Sequence, residues 1–154
     1  MTQFLGTHEF KLDAKGRVSI PGAFRTALAK AGTDEIILRP SHLGPFVEGW
    51  PPAVFEAICE NLQNYDTFSE QGDDLATVLF AQAHLTRHDS EGRLVLPDAL
   101  RQHIGVEVGA LVSFVGKGRK FEIWDVARGA KDTETAMNRA REARLTLSPR
   151  RPAP

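Results

Sequence analysis

Two short motifs carry the side chains best placed to do chemistry: Asp13-Ala14-Lys15-Gly16-Arg17 and Asp89-Ser90-Glu91-Gly92-Arg93, both spaced D-x-x-G-R. An arginine fork can grip guanine O6 and N7, or a phosphate, in bidentate fashion. The same fork can close an ion pair with the aspartate four residues before it and brace a turn. Both uses stay open from the residues alone. Asp at the start of such a turn and Gly near its end suit an Asx turn, so a structural role accounts for Asp13 and Asp89 without catalysis. Gly16 and Gly92 supply backbone freedom there. Lys15 sits at the first apex and Glu91 at the second, so phosphate contact suits the first turn and not the second. Lys11 and Arg87 precede the turns. Arg25 and Arg101 follow them, each either a phosphate contact or a salt bridge.

Nothing else in the chain spells out a reaction. The five histidines lack metal-ligand spacing, and the one cysteine, Cys59, is too little for a disulfide or a zinc cluster. There is no phosphate loop, dinucleotide fingerprint, nucleophile elbow or zinc-protease motif. We therefore expect no enzyme, no cofactor, no metal and no small-molecule substrate. No apolar run approaches the roughly 20 residues of a membrane span, and the N-terminus lacks the charge and hydrophobic run of a secretory signal.

The two motifs belong to a longer repeat. Phe4–Ala29 aligns with Phe80–Gly105 at a constant offset of 76 residues, with eight identities: Phe4/Phe80, His8/His84, Asp13/Asp89, Gly16/Gly92, Arg17/Arg93, Pro21/Pro97, Ala23/Ala99 and Arg25/Arg101. Two copies are too few for a solenoid and suit a pseudo-twofold domain. Each copy reads as a strand, the turn, a second strand (Val18–Ile20, Leu94–Leu96), a proline, and a short helix ended by Gly32 or Gly105. Another strand pair follows each: Glu35–Leu38 with Phe46–Trp50, and Leu111–Val115 with Phe121–Trp124 across the hairpin signal Gly116-Lys117-Gly118-Arg119. Between the copies, Val54, Phe55, Ile58, Cys59 and Leu62 form one apolar helix face, with Cys59 read as core. A further helix is expected over about Asp73–Ala81. Another falls within Lys131–Leu145, and the tail from Ser148 reads as disordered.

The net charge of −1 conceals segregation. Residues 1–33 balance at +3, residues 34–79 at −8 and residues 131–154 at +3. A basic N-terminal region can attract an anionic partner, although charge alone also fits an unevenly decorated surface.

The doubled unit resembles the MraZ family of AbrB-like bacterial transcription regulators. The resemblance rests on Phe4-Leu5-Gly6, LDAKGRVSIPGAFR, DSEGRLVLPDALRQHIG and KFEIWD, and covers about residues 4–126. It implies a mainly β fold with short helices (α+β), a double-split β-barrel formed by two AbrB-like repeats in pseudo-twofold arrangement. The divisions would be a first repeat over 4–50, a helical connection over 51–79, a second repeat over 80–126, and a C-terminal helix and tail over 127–154. It also implies a homo-oligomeric ring, binding to double-stranded DNA, and a target of repeated G-rich boxes upstream of the division and cell wall gene cluster, including the chain's own promoter. That places the protein in the cytoplasm at the nucleoid. The DNA-binding set under this resemblance is Lys15, Gly16, Arg17, Arg93, Lys11 and Arg25. A second class, an AbrB-type antitoxin gripping a toxin and its own operator, is weighed against by the duplication, because such antitoxins usually carry one copy and dimerise.

Overall fold

The computed structural model describes residues 3–147; the tail expected to be disordered from Ser148 lies outside them. The first repeat runs β1 (Thr7–Lys11), β2 (Arg17–Ser19), α1 (Gly22–Lys30), β3 (Glu35–Pro40) and β4 (Val47–Trp50). A connection follows, with α2 (Pro52–Cys59), a 3-10 turn (Glu60–Asn64), α3 (Glu70–Ala76) and a π-helical turn (Thr77–Ala81). The second repeat runs β5 (His84–Arg87), β6 (Arg93–Val95), α4 (Asp98–Ile104), β7 (Leu111–Gly116) and β8 (Phe121–Asp125), and α5 (Val126–Glu142) closes the described chain.

Local chemistry explains these boundaries. Pro21, Pro51 and Pro97 hold extended backbone and lead into α1, α2 and α4, where a missing N–H costs nothing. Ser69 caps α3 through a hydrogen bond from the Gly72 N–H, and Asp125 caps α5 through one from the Arg128 N–H. The single helix expected over Asp73–Ala81 is instead two segments. The α-helix ends at Ala76 and the chain widens into the π-turn, where the Val78 carbonyl accepts two bonds from the Arg39 guanidinium.

The strands exchange partners between repeats. A six-stranded antiparallel sheet runs in the order β1-β7-β8-β4-β3-β5, and β2 pairs with β6 in a separate ribbon. The Lys11–Leu111 pair of β1 and β7 is matched, 76 residues on, by the Arg87–Glu35 pair of β5 and β3. Two pairs join counterparts directly: Val18 lies opposite Leu94, and Glu48 opposite Glu122. A pseudo-twofold axis therefore passes through the ribbon and the middle of the sheet. The fold is mixed α+β with short helices around one large antiparallel sheet, as expected. It is not a hydrogen-bonded closed barrel: β1 and β5 remain the two sheet edges, because each three-residue ribbon strand pairs only with its counterpart.

The main core lies between the sheet and the layer of ribbon, α1 and α4. Val18, Ile20, Leu94 and Leu96 descend from the ribbon side, Phe24, Leu28, Leu100 and Ile104 from the helices, and Phe114, Phe121 and Ile123 rise from the sheet. Phe4, Phe24 and Phe121 meet with ring centroids 5.3–5.4 Å apart, within the range of favourable aromatic pairing. Gly49 is required beneath this cluster: a Cβ there would run into the ring of the fully buried Phe121. Gly49→Ala should therefore overpack the core and cost about 1–3 kcal/mol, read as a lower denaturant midpoint with unchanged slope.

The opposite sheet face carries Phe46, Val115 and Trp124, with Phe46 stacked on Trp124 at 4.6 Å. It also holds a buried charge cluster. Arg39 meets Glu48 at 2.7 Å, and Lys120 reaches Glu122 at 3.0 Å and Glu48 at 3.7 Å. Trp50 and Trp124 each donate an indole N–H to the glutamate two residues earlier, at 2.9 Å. Burial pushes the Glu48 carboxyl up, but the Trp50 hydrogen bond and the Lys120 and Arg39 cations outweigh it and hold the group below its ordinary value. The helical connection is less buried than its sequence implies. Of the α2 face only Phe55 is buried, and Cys59, expected in the core, is half-buried, with burial pushing its thiol up. α2 lies along the sheet rather than between layers, so only one row of its side chains is covered.

Candidate nucleic-acid interface

The D-x-x-G-R motifs fold into two nearly superposable Asx turns. Asp13 Oδ1 accepts the N–H of Lys15 at 2.9 Å and of Arg17 at 2.8 Å, while Oδ2 accepts Arg17 Nε at 2.8 Å. Asp89 does the same for Glu91 and Arg93 at 2.9, 2.9 and 3.2 Å. Gly16 and Gly92 both stand at φ +77°, a conformation that disfavours any Cβ. The ion pair considered for each arginine is thus formed through Nε.

These bonds set a pH response. The N–H groups of Arg17 and Arg93, first among the causes, hold Asp13 and Asp89 below the ordinary carboxylate range. A carboxylate depressed in the folded state stabilises above its unfolded pKa, about 3.9, and loses that contribution as pH falls through the folded value. Acidification below about pH 4 should therefore loosen both turns before the core. Faster amide exchange at Lys15, Arg17, Glu91 and Arg93, ahead of Phe114 and Phe121, is the expected observation.

The ribbon decides where the arginines go. Val18 and Leu94 turn inward and are buried, so the alternation of a strand places Arg17, Ser19, Arg93 and Val95 on the outer face. Arg17 lies opposite Val95 and Arg93 opposite Ser19, so the two arginines are diagonal neighbours across the pseudo-twofold axis. The ribbon extends one bond further at each end, through Leu96 N–H to Gly16 and Ile20 N–H to Gly92. The sequence places Arg17 and Arg93 beside separate turns; the structure brings them onto one surface.

The other candidates divide. Lys11 and Lys15 are exposed beside the first turn and form no salt bridge among the described residues. Arg25 is exposed on α1 and lies against the second turn: a Cβ on Gly92 would come within 2.8 Å of its Nε. Its counterpart Arg101 is drawn inward, donating to the Val106 carbonyl at 2.9 Å, with Asp98 and Glu107 at 3.6 and 3.7 Å. Of the two uses open to this pair, Arg101 takes the structural one. Sequence reasoning passed over Ser19 and Val95, which share the outer face with the arginines. The signal was present in the i, i+2 spacing of Arg17 and Ser19, but not the cross-repeat pairing that makes it a surface.

Among the described residues no group of three or more His, Cys, Asp or Glu could hold a metal, and no helix is long and apolar enough to cross a membrane.

Comparison with known proteins gives the family. The family described as "MraZ protein, putative antitoxin-like" matches residues 3–77 and 79–148. This chain belongs to the MraZ family. A MraZ relative from Gluconacetobacter diazotrophicus is 46% identical over 154 residues, covering 98% of this chain and 96% of the relative. One from Gluconobacter oxydans is 46% identical over 156 residues, with 99% and 92% covered. A third, from Xanthobacter autotrophicus, is 38% identical over 150 residues, with 97% and 94% covered. Each of the three is named a transcriptional regulator, and none for a catalytic activity. The MraZ match spans both copies of the repeat, so the pseudo-twofold arrangement is a property of the matched region as a whole.

Proposed function

We propose that this protein is a transcriptional regulator that lays the outer face of its β2–β6 ribbon on double-stranded DNA. Family membership and the names of its MraZ relatives support regulation. One observation carries the mode of binding: Arg17 and Arg93 stand together on the exposed face of a two-stranded antiparallel ribbon, an element that fits the major groove. On this reading the arginine Nη groups face guanine edges or phosphates while Nε stays on Asp13 or Asp89. Lys15, Lys11 and Arg25 add backbone contacts, and Gly16 shapes the turn.

The targets on this reading are repeated G-rich boxes upstream of the protein's own gene and the division and cell wall cluster, and its place is the cytoplasm at the nucleoid. A chain of net charge −1 with so few free cations grips DNA weakly alone. A homo-oligomeric ring repeats the contact and raises the effective affinity where box spacing matches protomer spacing.

Band-shift titration with the upstream DNA at several salt concentrations, with native mass measurement of the assembly, tests this. The expected result is an oligomer whose log affinity falls steeply with log salt, at about 0.9 per phosphate neutralised. Salt-independent binding, or no binding, overturns it. Co-purification of a small toxic partner instead favours the antitoxin reading.

A further inference from the structure

Resting on the ribbon-on-DNA reading, we infer that the ribbon is polar, and that Glu91 fixes the direction in which it lies on the duplex. A twofold-symmetric ribbon would present identical turns to both sides of a groove. Such a ribbon would have no preferred direction even on an asymmetric box, whereas a ribbon with one open and one masked arginine tells the two halves of the box apart. This ribbon has symmetric backbone geometry, with matching Asx turns and equal φ at Gly16 and Gly92. Its charges break that symmetry.

At the first turn three cations share one carboxylate. Arg17 meets only Asp13, while Lys11 and Lys15 have no ion-pair partner among the described residues. At the second turn three cations, Arg87, Arg93 and the flanking Arg25, face four carboxylates. Arg87 lies 3.7 Å from both Asp34 and Glu35, and Arg93 is held by Asp89 at 3.2 Å and by Glu91 at 2.9 Å. Glu91 engages Nη2 of Arg93, the edge left open on Arg17, and its side chain is 68% exposed at the apex where Lys15 stands in the other copy. It therefore masks one arginine and sets a negative charge where a phosphate would lie. Arg25 lies against Gly92 and offsets part of that charge, but at the flank of the turn rather than its apex. The first turn, with Arg17 open, is left as the end that takes the guanine-bearing half of an asymmetric box, and the second as the end directed away, which makes Glu91 a specificity-determining residue for orientation.

The test uses the full chain carrying Cys59→Ala, with a single new cysteine at Ala14 or at Ser90 bearing a DNA-cleaving iron chelate, on a duplex with one asymmetric box. Expected is cleavage on opposite flanks of the box from the two positions. In the exchange variant Lys15→Glu/Glu91→Lys the flanks should trade places. A second variant, Glu91→Gln, frees Arg93 without adding a cation and should raise affinity severalfold at low salt while weakening the flank preference. Equal cleavage of both flanks by the parent chain, or flanks unchanged in the exchange variant, overturns the orientation role while leaving DNA binding standing. Absence of a band shift by the parent chain removes the underlying reading and the inference with it. Both exchanged side chains are exposed, and a far-ultraviolet spectrum matching the parent confirms the fold of each variant.

Discussion

Arg17→Ala is expected to lower affinity for the upstream DNA by about 5- to 150-fold, the range of one bidentate arginine contact worth roughly 1–3 kcal/mol. Arg17 has two jobs in the structure, and the variants must separate them. Its Nε holds Asp13, while its Nη1 and Nη2 groups make no hydrogen bond among the described residues. Asp13→Asn keeps an acceptor for the Lys15 and Arg17 N–H groups and removes the ionic hold on the guanidinium. If Arg17 acts on DNA, Asp13→Asn should retain or strengthen binding while Arg17→Ala loses it. If Arg17 only braces the turn, both should bind alike. Arg17→Lys keeps the charge but not the fork, so it should retain the salt slope and lose discrimination between boxes. Cys59→Ala, on the far side of the sheet, should bind as the parent does. Wild-type affinity in Arg17→Ala would refute the placement of the interface on the ribbon face.

Removing Glu48 is expected to destabilise the fold as much as truncating a core phenylalanine. Its carboxylate lies beside the pseudo-twofold axis, receives the Trp50 N–H, and neutralises Arg39, of which only 2% is exposed. Glu48→Ala removes the one carboxylate that pairs with Arg39 among the described residues and leaves a buried guanidinium facing the Val78 carbonyl and His42. Breaking a buried pair from one side costs about 3–5 kcal/mol, because the remaining charge is stranded. In a chain of this length that is roughly 10 °C in the melting midpoint, at about 2–4 °C per kcal/mol. The double variant Glu48→Leu/Arg39→Met should recover much of the loss, since apolar groups can replace a buried pair at little cost. Arg39 also fastens the π-turn to the sheet through Val78, so the double variant should still exchange amide protons faster over Thr77–Ala81. A melting point for Glu48→Ala within a degree of the parent would rule out the stranded-charge account.

The amino-acid order by itself determined the repeat, its turns and its helices. Asp at the turn start, Gly at the turn end and Pro before the helix act within a few residues, so their effect is legible wherever they stand. That is why Asp13–Arg17 and Asp89–Arg93 fold as the spacing predicts, and why the charge reversal between Lys15 and Glu91 was visible at once. Partner choice was not legible. β1 pairs with β7 and β3 with β5, about 50 to 100 residues apart along the chain, and nothing local distinguishes these pairings from simple hairpins. Where the barrel splits, into a six-stranded sheet and a separate ribbon, was settled by these distant pairings as well. The burial of Arg39 and Glu48 was hidden as well, since a charged strand residue reads as solvent-facing until a second layer, here α2 and the π-turn, covers that face. Tertiary structure alone decided that Arg17 and Arg93 share one surface. Strand alternation gives each a side, but only the Val18–Leu94 pairing across the axis makes those sides the same.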